Sequence, residues 1–278
     1  MTGVANPLDQ TAALGDWALG RGEDLRARLA FLGDLMLALG RLAKSRARRA
    51  EAEIAASLDR IGVGSVPIVA VFAISTGVAL SLLAAQQLDK VGLPGLAPRL
   101  VGIVILRELA ALMTGLALAG PVGAGLALEI AHAMAGVGVE RAERHTASHD
   151  ILEKLVAPRI LALTLAGPLL VAYADAFALL AAAITGIAVT DITWLSKVSV
   201  QAHLETTTST LTDHAVAGLI KGAIFGFVVG VATSWHALGY RAGSRGFGQA
   251  VRRAVVASAA SVAIADLALT FIFKWVRL

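Results

Sequence analysis

Residues Val104 to Gly125 read VILRELAALMTGLALAGPVGAG, and this stretch decides the fold of the chain. Nearly all of it is apolar or small, which suits the interior of a membrane, yet Arg107 and Glu108 stand side by side near its start. A charge at the centre of a membrane helix costs about 2.5 to 3.5 kcal/mol, so both side chains need partners. Further along, Pro121 lacks a backbone donor and predicts a kink.

The composition of the whole chain also indicates an integral membrane protein. Of the 278 residues, 57% are hydrophobic and 16% are charged, and the mean hydropathy is +0.74, which is above the range of soluble domains. The absence of cysteine excludes disulfides and thiolate sites. The small net charge of +4, without a basic face interleaved with aromatic residues, argues against nucleic-acid binding.

Five apolar runs are long enough to cross a membrane, which takes about 20 residues of helix for a hydrocarbon core of roughly 30 Å. We therefore predict an all-α membrane protein, with an N-terminal segment over residues 1–60 and a membrane domain over 61–278. A cytoplasmic segment at 136–158 separates the second span from the third. The predicted spans cover about 61–86, 100–134, 159–189, 215–238 and 254–276.

An amphipathic helix is predicted at about residues 25–49, before the first span. Leu29, Leu32 and Met36 fall on one helical stripe, and Arg41 and Lys44 lie on the opposite side. Such a helix is expected to lie along the membrane surface, with its basic face towards anionic headgroups. Periodicity alone leaves open the alternative of a soluble helix packed on a partner protein.

The distribution of Lys and Arg predicts the orientation of the spans. Basic residues are concentrated in three segments, at 41–60, 136–158 and 241–253, which an even number of spans separates from one another. All three are expected in the cytoplasm, because basic loops stay on that side. With five spans, the N-terminus is then cytoplasmic and the C-terminus lies on the exported side.

Charged residues inside the predicted spans form the candidate site. Counting from the exported ends places Arg107, Glu108, Lys221 and Asp266 in one layer of the outer half of the membrane, and Asp175 slightly deeper. We expect Lys221 and Asp266 to pair across adjacent spans. Because adjacent residues diverge around a helix, Arg107 and Glu108 are expected to reach different helices rather than each other. The alternative is a purely structural clamp that fixes the register of the helices.

Catalytic and metal-binding patterns are missing from the sequence. No glycine-rich loop ends in Gly-Lys-Ser/Thr, so any ATP-driven work would need a partner, and no cofactor is expected in this chain. His145 and His149 have the i, i+4 spacing of metal ligands, but no HExxH pattern accompanies them and we predict no metal site. The absence of a nucleophile motif disfavours an intramembrane enzyme.

Three passages, taken together, resemble the MlaE/YrbE permeases, which are subunits of ABC transporters that work with MCE-domain proteins in lipid trafficking. The resemblance extends from about Ile61 to the C-terminus. It departs from the family pattern at Ile151, where a proline is usual, and at Pro121, where many members have arginine. The passages are LRELAALMTGLALAGPVGAGLALEI, DILEKLVAPR, and the pair GLIKGAIFG and AVRRAVVASAASVAIADLALTFIF.

The resemblance implies a permease in the bacterial cytoplasmic (inner) membrane that is not itself an enzyme. It further implies a homodimer with an ABC ATPase on the cytoplasmic side and an MCE-domain protein on the exported side. A lipid, expected to be a phospholipid, would enter a cavity between the two copies. Arg107, Glu108, Lys221 and Asp266 match the family's membrane-embedded charges. The residues implied in coupling to the ATPase are Glu140, Asp150, Leu152, Pro158 and Arg159.

Two other functions remain open at this point. A membrane scaffold could anchor an MCE-like or regulatory complex without transporting anything, and it would assemble without an ATPase. An intramembrane lipid-modifying enzyme would be active as the isolated chain.

Overall fold

The computed structural model describes residues 26–42, 48–136, 149–190, 208–239 and 244–276, and all regular structure in these ranges is helical. Five of the helices, α2 to α6, are long and apolar enough to cross a membrane. The predicted all-α architecture, with one helix before five spans, is thus confirmed. The helices are α1 (26–42), α2 (Arg48–Lys90), α3 (Ala97–Ala135), α4 (149–190), α5 (Thr208–Leu238) and α6 (Ser244–Val276).

The first spanning helix, α2, starts well before the predicted span and ends at a glycine. It is continuous across residue 60, so the charged segment before the apolar run belongs to the same helix. Gly92 has φ of +73°, a left-handed conformation that favours glycine, and it ends the helix. The N–H of Leu93 donates to the carbonyl of Leu88 at 2.9 Å and satisfies one of the last carbonyls. A short 3₁₀ turn, Pro94–Leu96, then leads into α3.

The second spanning helix, α3, contains two π-helical turns. The first, Ile105–Leu109, carries Arg107 and Glu108, and the N–H of Ala110 closes it on the carbonyl of Ile105. The second, Leu118–Val122, carries Pro121, so the kink predicted there takes the form of a widened turn. Single π-helical turns in α-helices occur frequently at functional sites.

Close helix packing brings α4 and α5 together in the middle of the fold. α4 packs between α2 and α5, and α5 also contacts α3 and α6. A Cβ atom at Gly167 would collide with the carbonyl oxygen of Gly222, and one at Gly226 would collide with that of Leu163. Small residues let helix backbones approach closely in lipid, where no hydrophobic effect drives helices together. The α4–α5 contact therefore depends on glycine.

The helix α1 has two apolar stripes instead of the single stripe predicted. Leu35 and Ala38 are buried against the bundle, and the ring of Phe31 packs edge-on against Trp235 of α5 at 5.4 Å. The predicted stripe, with Leu29 and Met36, is exposed. A helix that packs on the protein with one stripe and exposes a second apolar stripe is suited to lie at the membrane surface.

Replacing Gly167 by leucine should destabilise the protein, because the side chain would force α4 away from α5. We expect a loss of about 3 kcal/mol in the free energy of unfolding, the upper end of typical overpacking costs. Denaturant titration in detergent, followed by circular dichroism, measures it. Gly248→Leu on α6 is the control, because a Cβ atom there meets nothing within 4 Å. Equal stability of the two variants would contradict a glycine-dependent contact.

Candidate functional site

The side chain of Lys221 lies at the centre of the candidate site. It is 0% exposed, although it sits in an apolar helix. Its Nζ donates to Asp266 Oδ1 at 2.8 Å, to Thr270 Oγ1 at 2.9 Å and to Glu108 Oε2. An ammonium group has three donors, so this one is saturated. The predicted Lys221–Asp266 pair is present in the structure, and Glu108 joins it.

Three helices supply these partners. Glu108 comes from the first π-helical turn of α3, Lys221 from α5, and Asp266 and Thr270 from successive turns of α6. The Thr270 hydroxyl lies 3.1 Å from Glu108 Oε2 and 2.9 Å from the carbonyl oxygen of Asp266, and either oxygen can accept a hydrogen bond from it. We name Glu108, Lys221, Asp266 and Thr270, together with Arg107, the charged layer.

Thr270 was missed by the sequence analysis, which considered only ionisable residues. Its position, four residues after Asp266, was a usable signal, because residues four apart share a helix face. A hydroxyl inside a membrane helix also needs a partner, although it often finds one in its own backbone four residues earlier. The Thr270 hydroxyl has partners of both kinds: the backbone carbonyl of Asp266, four residues earlier, and the charged groups of the site.

Arg107 corrects one expectation about the charged layer. Its Nε lies 3.7 Å from Glu108 Oε1, so the two adjacent side chains do form an ion pair. The prediction that they do not pair is wrong, because the long arginine side chain reaches the neighbouring carboxylate. Arg107 Nη1 also lies 3.4 Å from Nδ1 of His214 on α5, a contact that the sequence analysis did not foresee. The layer therefore contains two cations and two carboxylates.

Asp175 lies outside the charged layer. This residue of α4 is 7% exposed, and its Oδ1 has no hydrogen-bond partner among the described residues. The helix geometry explains the separation: Gly222 faces α4, so the preceding residue, Lys221, points towards α3 and α6 instead. The expectation that Asp175 shares the network is therefore wrong.

A second group of ion pairs lies at the opposite end of α3, about 30 Å along the helix from Glu108. Glu129 Oε2 is 2.6 Å from Arg159 Nη2 on α4, and Glu129 Oε1 is 3.1 Å from Arg60 Nη1 on α2. Of these three residues only Arg159 was singled out from the sequence. The group joins α2, α3 and α4 at the end predicted to be cytoplasmic.

The other predicted coupling residues that the structure describes lie on α4, before Arg159. Leu152 and Pro158 are buried, and Asp150 accepts a hydrogen bond from Lys154 at 2.8 Å on the surface. Glu140 and His145 lie outside the described residues. Among the described residues, no three His, Asp or Glu side chains come together as metal ligands.

Replacing Lys221 by methionine should strongly destabilise the protein, because Glu108 and Asp266, which are mostly withdrawn from water, would lose the cation that links them. The expected loss is about 3 to 5 kcal/mol in the free energy of unfolding. Adding Glu108→Gln and Asp266→Asn should recover most of it. Lys274→Met, at an exposed position on the same helix as Asp266, is the control. A stable single variant would show that the ammonium group does not hold the helices.

Replacing Thr270 by valine should cost about 1 kcal/mol in unfolding free energy, since the hydroxyl is lost while the shape is kept. Thr270→Ser should retain the wild-type value because it keeps the hydroxyl. The same detergent titration measures both variants. A Thr270→Val variant with the unfolding free energy of the wild type would show that the hydroxyl does not stabilise the cluster.

Comparison with known proteins assigns the chain to a family. The family model described as Permease MlaE matches residues 54–272. Proteins named probable ABC transporter permease in Rickettsia prowazekii and Rickettsia felis are 29% and 28% identical over 214 residues, which is 77% of this chain and 80% of each relative. The chloroplastic protein trigalactosyldiacylglycerol 1 of Arabidopsis thaliana is 24% identical over 216 residues, 78% of this chain and 60% of that protein. The chain belongs to the MlaE permease family, and it is a multi-pass membrane permease rather than an enzyme.

Proposed function

We propose that this permease moves phospholipid, or a similar amphiphile, through the membrane as part of an ABC transporter. The partly open charged layer is the observation that carries the proposal. Lys221 is fully enclosed, but the side chains of Arg107 and Glu108 are 23% and 28% exposed. One side of the layer is thus accessible within an otherwise apolar surface. The name of the Arabidopsis relative, which is that of a glycolipid, also supports a lipid substrate.

The chemistry of the exposed pair suits a phospholipid headgroup. The Arg107 guanidinium has five donors in a planar fork, and its contacts with Glu108 and His214 use few of them. Arginine of this kind binds phosphate oxygens through two parallel hydrogen bonds. Glu108 can accept from an amine or hydroxyl of the same headgroup. In this proposal Lys221, Asp266 and Thr270 hold the helices, while Arg107 and Glu108 face the lipid. Asp175 has no assigned contact with it.

A second copy of the chain is proposed to complete the transport cavity. The helix α6 is the least buried of the spanning helices. It carries Asp266 and Thr270 on one face, while Ile264, Leu267 and Phe271 are exposed on another. An apolar face adjacent to the charged layer is suited to form a homodimer, with lipid held between the two copies.

We propose the partners from the family and from the predicted orientation. In that orientation the N-terminus lies in the cytoplasm of a bacterium, and the charged layer lies towards the exported side. An ABC permease works with an ATPase in a separate chain, which would bind ATP and Mg²⁺. We place its contact at the end that carries the Arg159–Glu129 ion pair, with the residues Glu140, Asp150, Leu152 and Pro158. An MCE-domain protein would receive or deliver lipid on the exported side.

Replacing Arg107 by glutamine should lower lipid transfer at least tenfold while leaving the unfolding temperature nearly unchanged, because the side chain is partly exposed and not at the centre of the cluster. The complex co-expressed with its ATPase is reconstituted in proteoliposomes, and lipid-stimulated ATP hydrolysis and transfer of fluorescent phospholipid are measured. Arg99→Gln, at an exposed position near the start of the same helix, is the control.

One result would reject lipid transport, and another would reject the role given to Arg107. If no ATPase co-purifies with the chain, the protein is a scaffold instead of a transporter. If Arg107→Gln and Arg99→Gln transfer lipid equally well, the charged layer is only a clamp.

A further inference from the structure

A cavity of about 480 Å³ lies between α2, α3 and α4, at the opposite end of the bundle from the charged layer. This volume lies within the range of small-molecule binding sites. The cavity begins near Glu53 and reaches Ser65 on α2, and it runs from Glu129 to Pro121 on α3. Its length along α2 is therefore about 18 Å. The second π-helical turn of α3 forms part of its deep end.

The mouth of the cavity is charged, with a small excess of positive charge. Arg60, Lys154 and Arg159 line it together with two carboxylates, Glu53 and Glu129. Glu129 is shared by the two arginines, whose guanidinium groups have more donors than one carboxylate can accept. Lys154 pairs with Asp150 on the surface, and such exposed pairs contribute little. The mouth can therefore offer hydrogen-bond donors to an anion.

The deep part of the cavity is apolar except for one hydroxyl. Ile61, Val122 and Leu126 form its walls. Ser65 also lines it, is 2% exposed, and its Oγ has no hydrogen-bond partner among the described residues. A buried hydroxyl without a partner is unfavourable, so a ligand that can hydrogen-bond to it is favoured. The ligand that fits has an anionic end, an apolar end and a hydrogen-bond acceptor between them.

The helix α1 indicates where the mouth lies relative to the membrane. Arg41 of α1 is 3.5 Å from Glu153 of α4, next to Lys154 at the mouth. Because the exposed stripe of α1 is expected to insert into the membrane surface, the mouth lies near the level of the lipid headgroups. The apolar part then points towards the membrane centre, which is the orientation of a lipid in that leaflet.

We propose that this cavity binds an anionic phospholipid of the cytoplasmic leaflet, with its phosphate between Arg60 and Lys154. The ester carbonyl, one glycerol length below the phosphate, accepts a hydrogen bond from Ser65. The cavity is too small for a whole lipid, so the chains continue along the exposed apolar side of α2 at Val63 and Val71. This site is distinct from the charged layer. The proposal rests on how the helices are placed in the membrane and not on the transport function.

Photocrosslinking inside the cavity tests the proposal. A photoreactive amino acid replaces Ala56, which lines the cavity, in the full complex embedded in nanodiscs that contain phosphatidylglycerol and phosphatidylcholine in equal amounts. We expect crosslinks to phosphatidylglycerol, enriched at least fivefold over phosphatidylcholine. The neighbouring position, Ala55, is exposed but does not line the cavity, and should show no such preference.

Two glycines of α2 provide a matched pair of variants. A Cβ atom at either Gly62 or Gly64 would meet nothing within 4 Å, so a side chain can start at both positions without a clash, but only Gly64 lines the cavity. Gly64→Leu should lower the phosphatidylglycerol crosslink at least tenfold, while Gly62→Leu should leave it unchanged. Lys154→Gln should reduce the preference for phosphatidylglycerol.

Several outcomes would overturn the proposal. Equal crosslinking to both lipids would show that no anionic headgroup is recognised, and an unchanged crosslink in Gly64→Leu would place the lipid elsewhere. A crosslink from Ala56 to the ATPase would identify that protein as the occupant. None of these readouts uses transport, so failure of this site and failure of the lipid-transport function are distinguishable.

Discussion

The buried ammonium group of Lys221 is the interaction on which the rest of the structure depends. A charge of this kind is tolerated in an apolar environment only when all of its donors are satisfied and its charge is balanced. Glu108, Asp266 and Thr270 supply both conditions, and they come from two other helices. The positions of α3, α5 and α6 relative to one another are thereby linked. Such a cluster penalises any packing that separates its members.

The backbone makes this arrangement possible. Glycines on α5 bring α4 close on one side, and this contact fixes the rotation of α5 so that Lys221 turns towards α3 and α6. On α3, the π-helical turn at Ile105–Leu109 carries two adjacent charged residues into the same cluster. Apolar packing and polar pairing therefore select the same rotation of α5, and neither would suffice alone in lipid, where burial of apolar surface gives no driving force.

The sequence predicted the helical spans and the Lys221–Asp266 pair because both depend on local properties. Length and hydropathy define a span, and charges at equal depth must find each other. The contribution of Asp175 could not be judged in this way, since depth says nothing about which face of α4 it occupies. Thr270, His214 and the ion pairs of Glu129 were missed because the partner of a polar residue depends on helix rotation and register. These follow from the close glycine contacts, which a single sequence does not reveal.

The length of α2 has a consequence for whatever binds at the predicted cytoplasmic end. Its 43 residues measure about 65 Å, while a hydrocarbon core takes up roughly 30 Å. The charged segment before Ile61 therefore extends about 20 Å further, as part of the same helix that crosses the lipid. A partner protein at this end contacts the extended part of α2. A force applied there would tilt the part of the same helix that crosses the membrane.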